Sequence, residues 1–303
     1  RDGKRLIALA NGSADTLCNA WHDCLHNNPK WAPADVPPAD SPAAADRVVS
    51  GDWPMWGGTV HRNMVNETTG ISLDFEPAAD PAEGKHVLWT AKLGSQTYGN
   101  PVVAGGKLYV ASLHRHTLYA LDADTGKQAW TFTTGGRIDS PPTIYKGLVY
   151  FGASDGFVYC LDLSDGVLVW KYQAAPALAN HMYLERMEAT HPVHGNVLVM
   201  NDRLYTVAGR SMFLDGGLHL VRLDPATGKL LSETVLDDQD PVADKALTDY
   251  VSWLNMPPAL PDILSTDGKL VYAFFGKSDF REGGLAEKLR ELIAARREKE
   301  QTA

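Results

Sequence analysis

The chain has 303 residues, of which 37 are acidic and 28 basic, for a formal net charge of −9, and 44% are hydrophobic. That apolar content excludes a wholly disordered chain, and the length can bury one large core or two ordinary ones. The acidic balance repels phosphate backbones and argues against nucleic acid as a partner. No run approaches the roughly 20 apolar residues of a membrane helix, so no membrane span is read here.

Residues 1–31 hold an apolar run (Leu6 to Ala10), an Asn11-Gly12 turn signal and a cluster of Cys18, Trp21, His22, Cys24 and His26. They read as an N-terminal segment, with the remnant of an upstream domain as one option. The first residue is Arg rather than Met, which points to a processed chain or a piece of a longer one. The spacing Cys18-x3-His22-x-Cys24-x-His26 matches neither a common zinc module nor the C-x-x-C-H of haem attachment. A Cys18–Cys24 disulfide or two free thiols therefore outranks a metal site. Residues 32–50, with Pro33, Pro37, Pro38 and Pro42 among Ala and Asp, read as a linker.

Between about residues 86 and 280 the pattern becomes short alternating runs: KLYVAS (107–112), TLYALD (117–122), LVYFGA (148–153), FVYCLD (157–162) and RLYTVA (203–208). Their period near two, their Val, Tyr and Leu content and the Gly, Asp and Pro between them predict antiparallel β structure. Residues 283–303 change register. Leu285, Leu289, Leu292 and Ile293 follow a helical spacing among charges of both signs, which predicts a C-terminal amphipathic helix.

The β region repeats itself. Trp89, Trp130 and Trp170 are 41 and 40 residues apart, and YALDADTGKQAW (119–130) realigns with YCLDLSDGVLVW (159–170). VRLDPATGKLLS (221–232) is a third copy with Ser232 in place of the tryptophan, and STDGKLVYAFF (265–275) a weaker fourth. A period near 40 residues with about four strands per unit is that of a propeller blade. Asp122, Asp162 and Asp224 end a strand and can accept turn amides, Gly126, Gly166 and Gly228 sit where the turn needs a positive φ, and Trp89, Trp130 and Trp170 can wedge neighbouring blades.

The hairpin ALDADTGKQAW resembles the repeat of the pyrroloquinoline-quinone-type (PQQ-like) β-propeller superfamily, and DPATGKLL (224–231) resembles it nearly as well. GDWPMWGGTVHRNMV (51–65), NPVVAGGKLYV (100–110), HPVHGNVLV (191–199) and AGRSMFLDGGLHLVRLD (208–224) are similar to segments of uncharacterised secreted bacterial members. The resemblance implies an all-β fold: a β-propeller over residues 51–280 of about four to five four-stranded blades, a partial or small ring. Members usually close seven or eight blades, so the chain is a piece of a longer ring, shares its ring with another chain, or closes unusually small. The resemblance makes PQQ the cofactor to consider, but quinoprotein dehydrogenases of the superfamily carry adjacent cysteines beside it, and Cys18, Cys24 and Cys160 include no such pair. The quinone is not carried over.

Six residues are candidate ligand contacts. His114 and His116 fall in a strand-to-strand loop, for which an exposed hairpin tip is the competing reading. His191 and His194 belong to an insertion at about 174–196 that also holds His181, Tyr183, Glu185, Arg186 and Glu188; it delays the third repeat by about 22 residues. Arg210 could hold a carboxylate or sulfate and Asp215 a cation, against the plainer reading of an Arg–Asp pair bracing a wide loop. Cys160 alternates into a strand as a small buried hydrophobe. Asn66-Glu67-Thr68 fits a glycosylation sequon, a triplet that also arises by chance.

Three functions follow as expectations. The first is a non-catalytic binding or scaffold propeller, periplasmic or extracellular, whose axial-face loops hold a protein, glycan or small ligand. The second is a quinoprotein-type oxidoreductase acting on an alcohol or sugar. The third is an accessory propeller of a larger multidomain enzyme. Open blade edges would add self-association.

Overall fold

The computed structural model describes residues 6–10, 52–66, 74–237 (except 79, 95, 178, 184 and 185), 263–268 and 271–275. The Cys18–His26 cluster, the 32–50 linker, Glu67 and Thr68 of the sequon and the 283–303 helix lie outside the described residues.

Alternating apolar runs and tight Gly turns give strands throughout. Leu6–Ala10 is β1. Three consecutive antiparallel four-stranded sheets follow, each in sequence order. Blade 1 comprises β2 (Val102–Ala104), β3 (Lys107–Ser112), β4 (Thr117–Asp122) and β5 (Gln128–Thr133). Blade 2 comprises β6 (Thr143–Tyr145), β7 (Leu148–Gly152), β8 (Phe157–Asp162) and β9 (Leu168–Gln173). A two-stranded hairpin, β10 (Asn180–Tyr183) and β11 (Arg186–Ala189), is inserted before blade 3. Blade 3 comprises β12 (Leu198–Met200), β13 (Arg203–Ala208), β14 (Leu218–Leu223) and β15 (Leu230–Leu236). Then β16 (Ser265–Thr266) and β17 (Val271–Phe275) pair antiparallel, with β1 alongside β17 in parallel. Blades of a propeller are what the repeat predicts. Among the described residues the only helix is a single 3-10 turn, Pro81–Glu83.

The core lies between sheets because both faces of each middle strand are covered. Tyr109, Ala120 and Trp130 of blade 1 pack with Val149, Phe151, Tyr159 and Leu161 of blade 2. Tyr150, Val158 and Cys160 of blade 2 pack with Val199, Leu204, Val221 and Leu223 of blade 3. Each tryptophan lies over the turn glycine of the next sheet, where a Cβ would sit 2.5–2.6 Å from the indole: Trp89 on Gly126, Trp130 on Gly166, Trp170 on Gly228. The indole N–H groups donate to Ala123 O (2.8 Å), Leu163 O (3.2 Å) and Pro225 O (2.9 Å). The turns are braced by Asp122 and Asp224, which accept from the backbone N–H and hydroxyl of Thr125 and Thr227, and by Asp162, which accepts likewise from Ser164.

The segment 52–62 runs along the first strands of successive sheets. Trp53 exchanges two backbone hydrogen bonds with Val103, Ile144 N donates to Pro54 O, and Thr266 N donates to Val60 O. Arg62, buried and at φ +53°, donates to the carbonyls of Trp56 (2.6 Å), Leu264 (3.1 Å) and Val197 (3.2 Å). Burial without a carboxylate partner pulls its pKa from 12.5 down to about 10. One side chain thereby ties this strap to blade 3 and to the strand pair after it. The sequence reading missed Arg62; no repeat or motif marks it.

Candidate functional site

Strand order divides the molecule into two faces. The Asp-x-x-x-Gly turns lie on one. The loops 113–116, 134–142, 153–156, 174–197 and 209–217 lie on the other, and all six candidate ligand residues are there. The inserted hairpin folds back on this loop face: Ala189 N donates to Ser154 O, Val193 N to Ala153 O, and Gly209 N to Pro192 O.

Beneath the hairpin sits a closed charged quartet. Arg137 Nε donates to both oxygens of Asp139 (2.8 and 3.0 Å), and Arg137 Nη1 lies 3.0 Å from Glu188 Oε2. His194 Nδ1 meets Asp139 Oδ2 at 2.5 Å and His194 Nε2 meets Glu188 Oε1 at 2.9 Å. Carboxylates only accept, so both ring nitrogens donate and His194 is an imidazolium. Burial opposes that charge, but the hydrogen bonds to Asp139 and Glu188 outweigh it and raise the His194 pKa. Burial likewise opposes ionisation of Asp139 and Glu188, yet His194 and Arg137 hold both below the usual carboxylate range. Two cations and two anions cancel, and three chain segments are riveted together. Sequence reading singled out His194 as a ligand contact, whereas the structure gives it this internal role. Arg137 and Asp139 carry no signal in the sequence, and Glu188 is marked there only by its place in the insertion.

A second network lies beside it. Arg210 Nη2 donates to Asp215 Oδ2 (2.6 Å) and Arg210 Nη1 to His181 Nε2 (2.8 Å). His191 is buried, its ring edge-on to His219 at 5.0 Å, and burial followed by that neighbour lowers its pKa. His219 Nδ1 in turn donates to Glu233 Oε1 at 2.6 Å. His191, Arg210 and Asp215 are thus brought together, while His114 and His116 stay on the blade 1 loop. His114 is exposed there and His116 takes φ +51° with its carbonyl accepting from Thr134.

Outward, the hairpin presents two methionines. Cross-strand register pairs Met182 with Met187 on one side and His181 with Glu188 on the other. Glu188 is buried, whereas Met182 is 70% and Met187 58% exposed; Leu214, beside Asp215, is 51% exposed.

The comparisons with known proteins decide the family. The family described as outer membrane protein assembly factor BamB (PQQ_2) matches residues 77–272. The chain belongs to this PQQ-type propeller family. A relative named outer membrane protein assembly factor BamB, from Moranella endobia, is 30% identical over 114 residues, 34% of this chain and 29% of that protein. Polyvinylalcohol dehydrogenase from a Pseudomonas species is 27% identical over 264 residues, 77% of this chain and 39% of that protein. The crystal structure of quinohemoprotein alcohol dehydrogenase from Comamonas testosteroni superposes with a TM-score of 0.56 at 18% identity, covering 74% of this chain and 35% of that one, and shows the shared fold. The chain thus spans well under half the length of these relatives.

The dehydrogenase relatives raise a quinone, and the described residues assemble no complete site for it with its metal ion. A polycarboxylated quinone with a divalent cation needs free cationic and anionic donors. On this face Arg137 and Arg210 already hold carboxylates, and Asp139 and Glu188 already hold Arg137 and His194, while Arg115 bonds the Tyr119 hydroxyl instead of a carboxylate. Among the described residues no three His, Cys, Asp or Glu side chains are grouped to hold a metal ion. Cys160 is a buried strand residue.

Proposed function

We propose that this protein is a binding or scaffold propeller of the bacterial periplasm or exterior, which holds a protein partner on its loop face. The observation carrying this is the inserted hairpin: its inner side is fastened by the Glu188–His194–Asp139–Arg137 quartet through the buried Glu188, while its outer side offers Met182 and Met187 to solvent. Exposed methionines on a rigid support suit adaptable contact with an apolar segment of another protein, because the thioether chain repacks at little cost. The kinship with the assembly factor BamB supports the same reading. No helix among the described residues is long and apolar enough to cross a membrane.

The test is photo-cross-linking in cells with photo-methionine-type residues at 182 or 187, and at Val167 on the outer blade edge as control. Adducts of discrete mass from the hairpin positions alone are expected. Adducts equally abundant from Val167 would refute a dedicated hairpin surface. The second reading, a quinoprotein-type oxidoreductase or its accessory propeller, is favoured by the long match to polyvinylalcohol dehydrogenase. Saturable binding of pyrroloquinoline quinone with calcium, accompanied by dye reduction, would install that reading instead.

A further inference from the structure

The repeat breaks at one place, and the break has a chemical consequence. Across the last three strands, blade 1 aligns Tyr109, Ala120 and Trp130, and blade 2 aligns Tyr150, Cys160 and Trp170. The tyrosine and indole rings lie 5.7 and 5.9 Å apart, the small middle residue making room for the indole that docks on the next sheet. Blade 3 aligns Tyr205, Arg222 and Ser232 at the same register. Here the wedge is absent and a guanidinium takes the middle position. Val221 and Leu223 turn toward blade 2, so Arg222 turns to the side away from it.

Arg222 is only 8% exposed, and its Nε and Nη2 are both buried with no hydrogen-bond partner. Tyr205 lies directly across from it on the neighbouring strand, close enough to interact with the guanidinium. Nε–H and Nη2–H are the two parallel donors of one guanidinium edge, a fork whose spacing matches the two oxygens of a carboxylate. A buried guanidinium that kept both donors empty would carry a desolvation penalty with nothing to offset it. Blades 1 and 2 supply the direction: their indole N–H groups reach across the seam to a carbonyl of the following turn.

We propose that Arg222 is a carboxylate-binding residue in the seam beyond blade 3, where its Nε/Nη2 fork receives a planar two-oxygen acceptor in the slot that an indole fills elsewhere. The acceptor is either a carboxylate side chain of the protein packed onto blade 3 or a small free carboxylate, and the two are separable. This site is independent of the hairpin on the loop face, so neither stands or falls with the other.

The experiment is equilibrium unfolding of the full chain as wild type, R222M and R222K, with and without 100 mM sodium acetate at constant ionic strength. An occupied fork predicts that R222M unfolds with an equilibrium constant raised roughly 100-fold, and R222K nearly as much, because a single ammonium cannot form the fork. Acetate raising the midpoint of the wild type alone assigns a free carboxylate; no acetate effect with both variants destabilised assigns a side chain of the protein. R222M as stable as wild type or more so, or R222K indistinguishable from wild type, overturns the proposal. If a variant does not fold, the Nε–H resonance of Arg222 in the wild type decides. Protection from solvent exchange for hours supports an engaged fork, and exchange as fast as at surface arginines refutes it.

Discussion

Two glycine-to-alanine substitutions separate backbone strain from the indole wedge. Gly147 and Gly166 share nearly the same backbone, φ +74° and +76°, but an added Cβ meets nothing within 4 Å at Gly147 and lies 2.5 Å from the Trp130 ring at Gly166. G147A therefore carries only the left-handed backbone cost, about 1–2 kcal/mol. G166A carries that cost and also forces the indole to retreat by about 1 Å, since ordinary van der Waals contact begins near 3.4 Å. The retreat forfeits roughly a third of the ring's packing on that side and the 3.2 Å hydrogen bond to Leu163 O, together about 2–3 kcal/mol. With a urea m-value near 3 kcal/mol/M, the G166A midpoint should fall about 1 M further than that of G147A. Urea unfolding followed by tryptophan fluorescence and far-ultraviolet circular dichroism measures this. Midpoints agreeing within about 0.2 M would show that the indoles do not wedge the blades and would undo the repeat chemistry described above.

Other perturbations address other links. His194 has a folded-state pKa above its ordinary 6.5, so its stabilisation is complete below about pH 6.5 and fades as pH rises through the raised value; Asp139 and Glu188, lowered from 3.8 and 4.5, contribute above those values and lose their contribution as pH falls through the depressed ones. Thermal midpoints of the wild type should thus decline above pH 6.5, H194Q should be destabilised by about 3 kcal/mol near pH 6, and its decline in that range should be shallower; parallel profiles would remove His194 from the quartet. R62M strands three backbone carbonyls, two of them in buried hydrogen bonds, and should cost about 3–5 kcal/mol by urea unfolding, with R62K recovering only part; a loss below about 1 kcal/mol would mean the strap is held elsewhere. Burial pushes the Cys160 thiol up to about 12, so mass spectrometry after thiol labelling at pH 8 should find it unmodified until the protein unfolds. M182Q/M187Q should change stability by no more than about 0.5 kcal/mol while reducing hairpin adducts, because both side chains face solvent.

Legibility followed the range of the interactions. The blade turns were readable because their chemistry closes within a few residues: Asp122 accepts from Thr125, and Gly126 takes φ +69° to complete the loop. The tryptophans were readable because the repeat sets them 41 and 40 residues apart, although the turn glycine each covers becomes visible only when sheets stack. Arg62 was not readable: its acceptors are backbone carbonyls as far as 202 residues away, and any residue has a carbonyl. The quartet was half readable. His194 stood out as a histidine in an insertion, but Asp139 is 55 residues distant, so charge that looked available for a ligand is spent inside the protein. The Arg210–Asp215 contact, five residues apart, is the pairing that local spacing can show.

The same contrast explains why the two faces of this propeller differ in kind. On the turn face every blade solves one problem alike, covering a glycine with an indole, so the pattern repeats and speaks for the fold. On the loop face the insertion gives blade 2 and blade 3 neighbours that blade 1 lacks, and the polar residues there form networks found once each. Those networks pair much of their own charge, and the hairpin adds its exposed methionines as outward chemistry. A face braced by internal ion pairs and tipped with flexible apolar side chains fits the proposed binding role. For a partner to dislodge the hairpin it would have to break the bonds of His194 to both carboxylates, so binding is expected to leave the hairpin backbone in place, with hydrogen exchange at β11 unchanged by the partner.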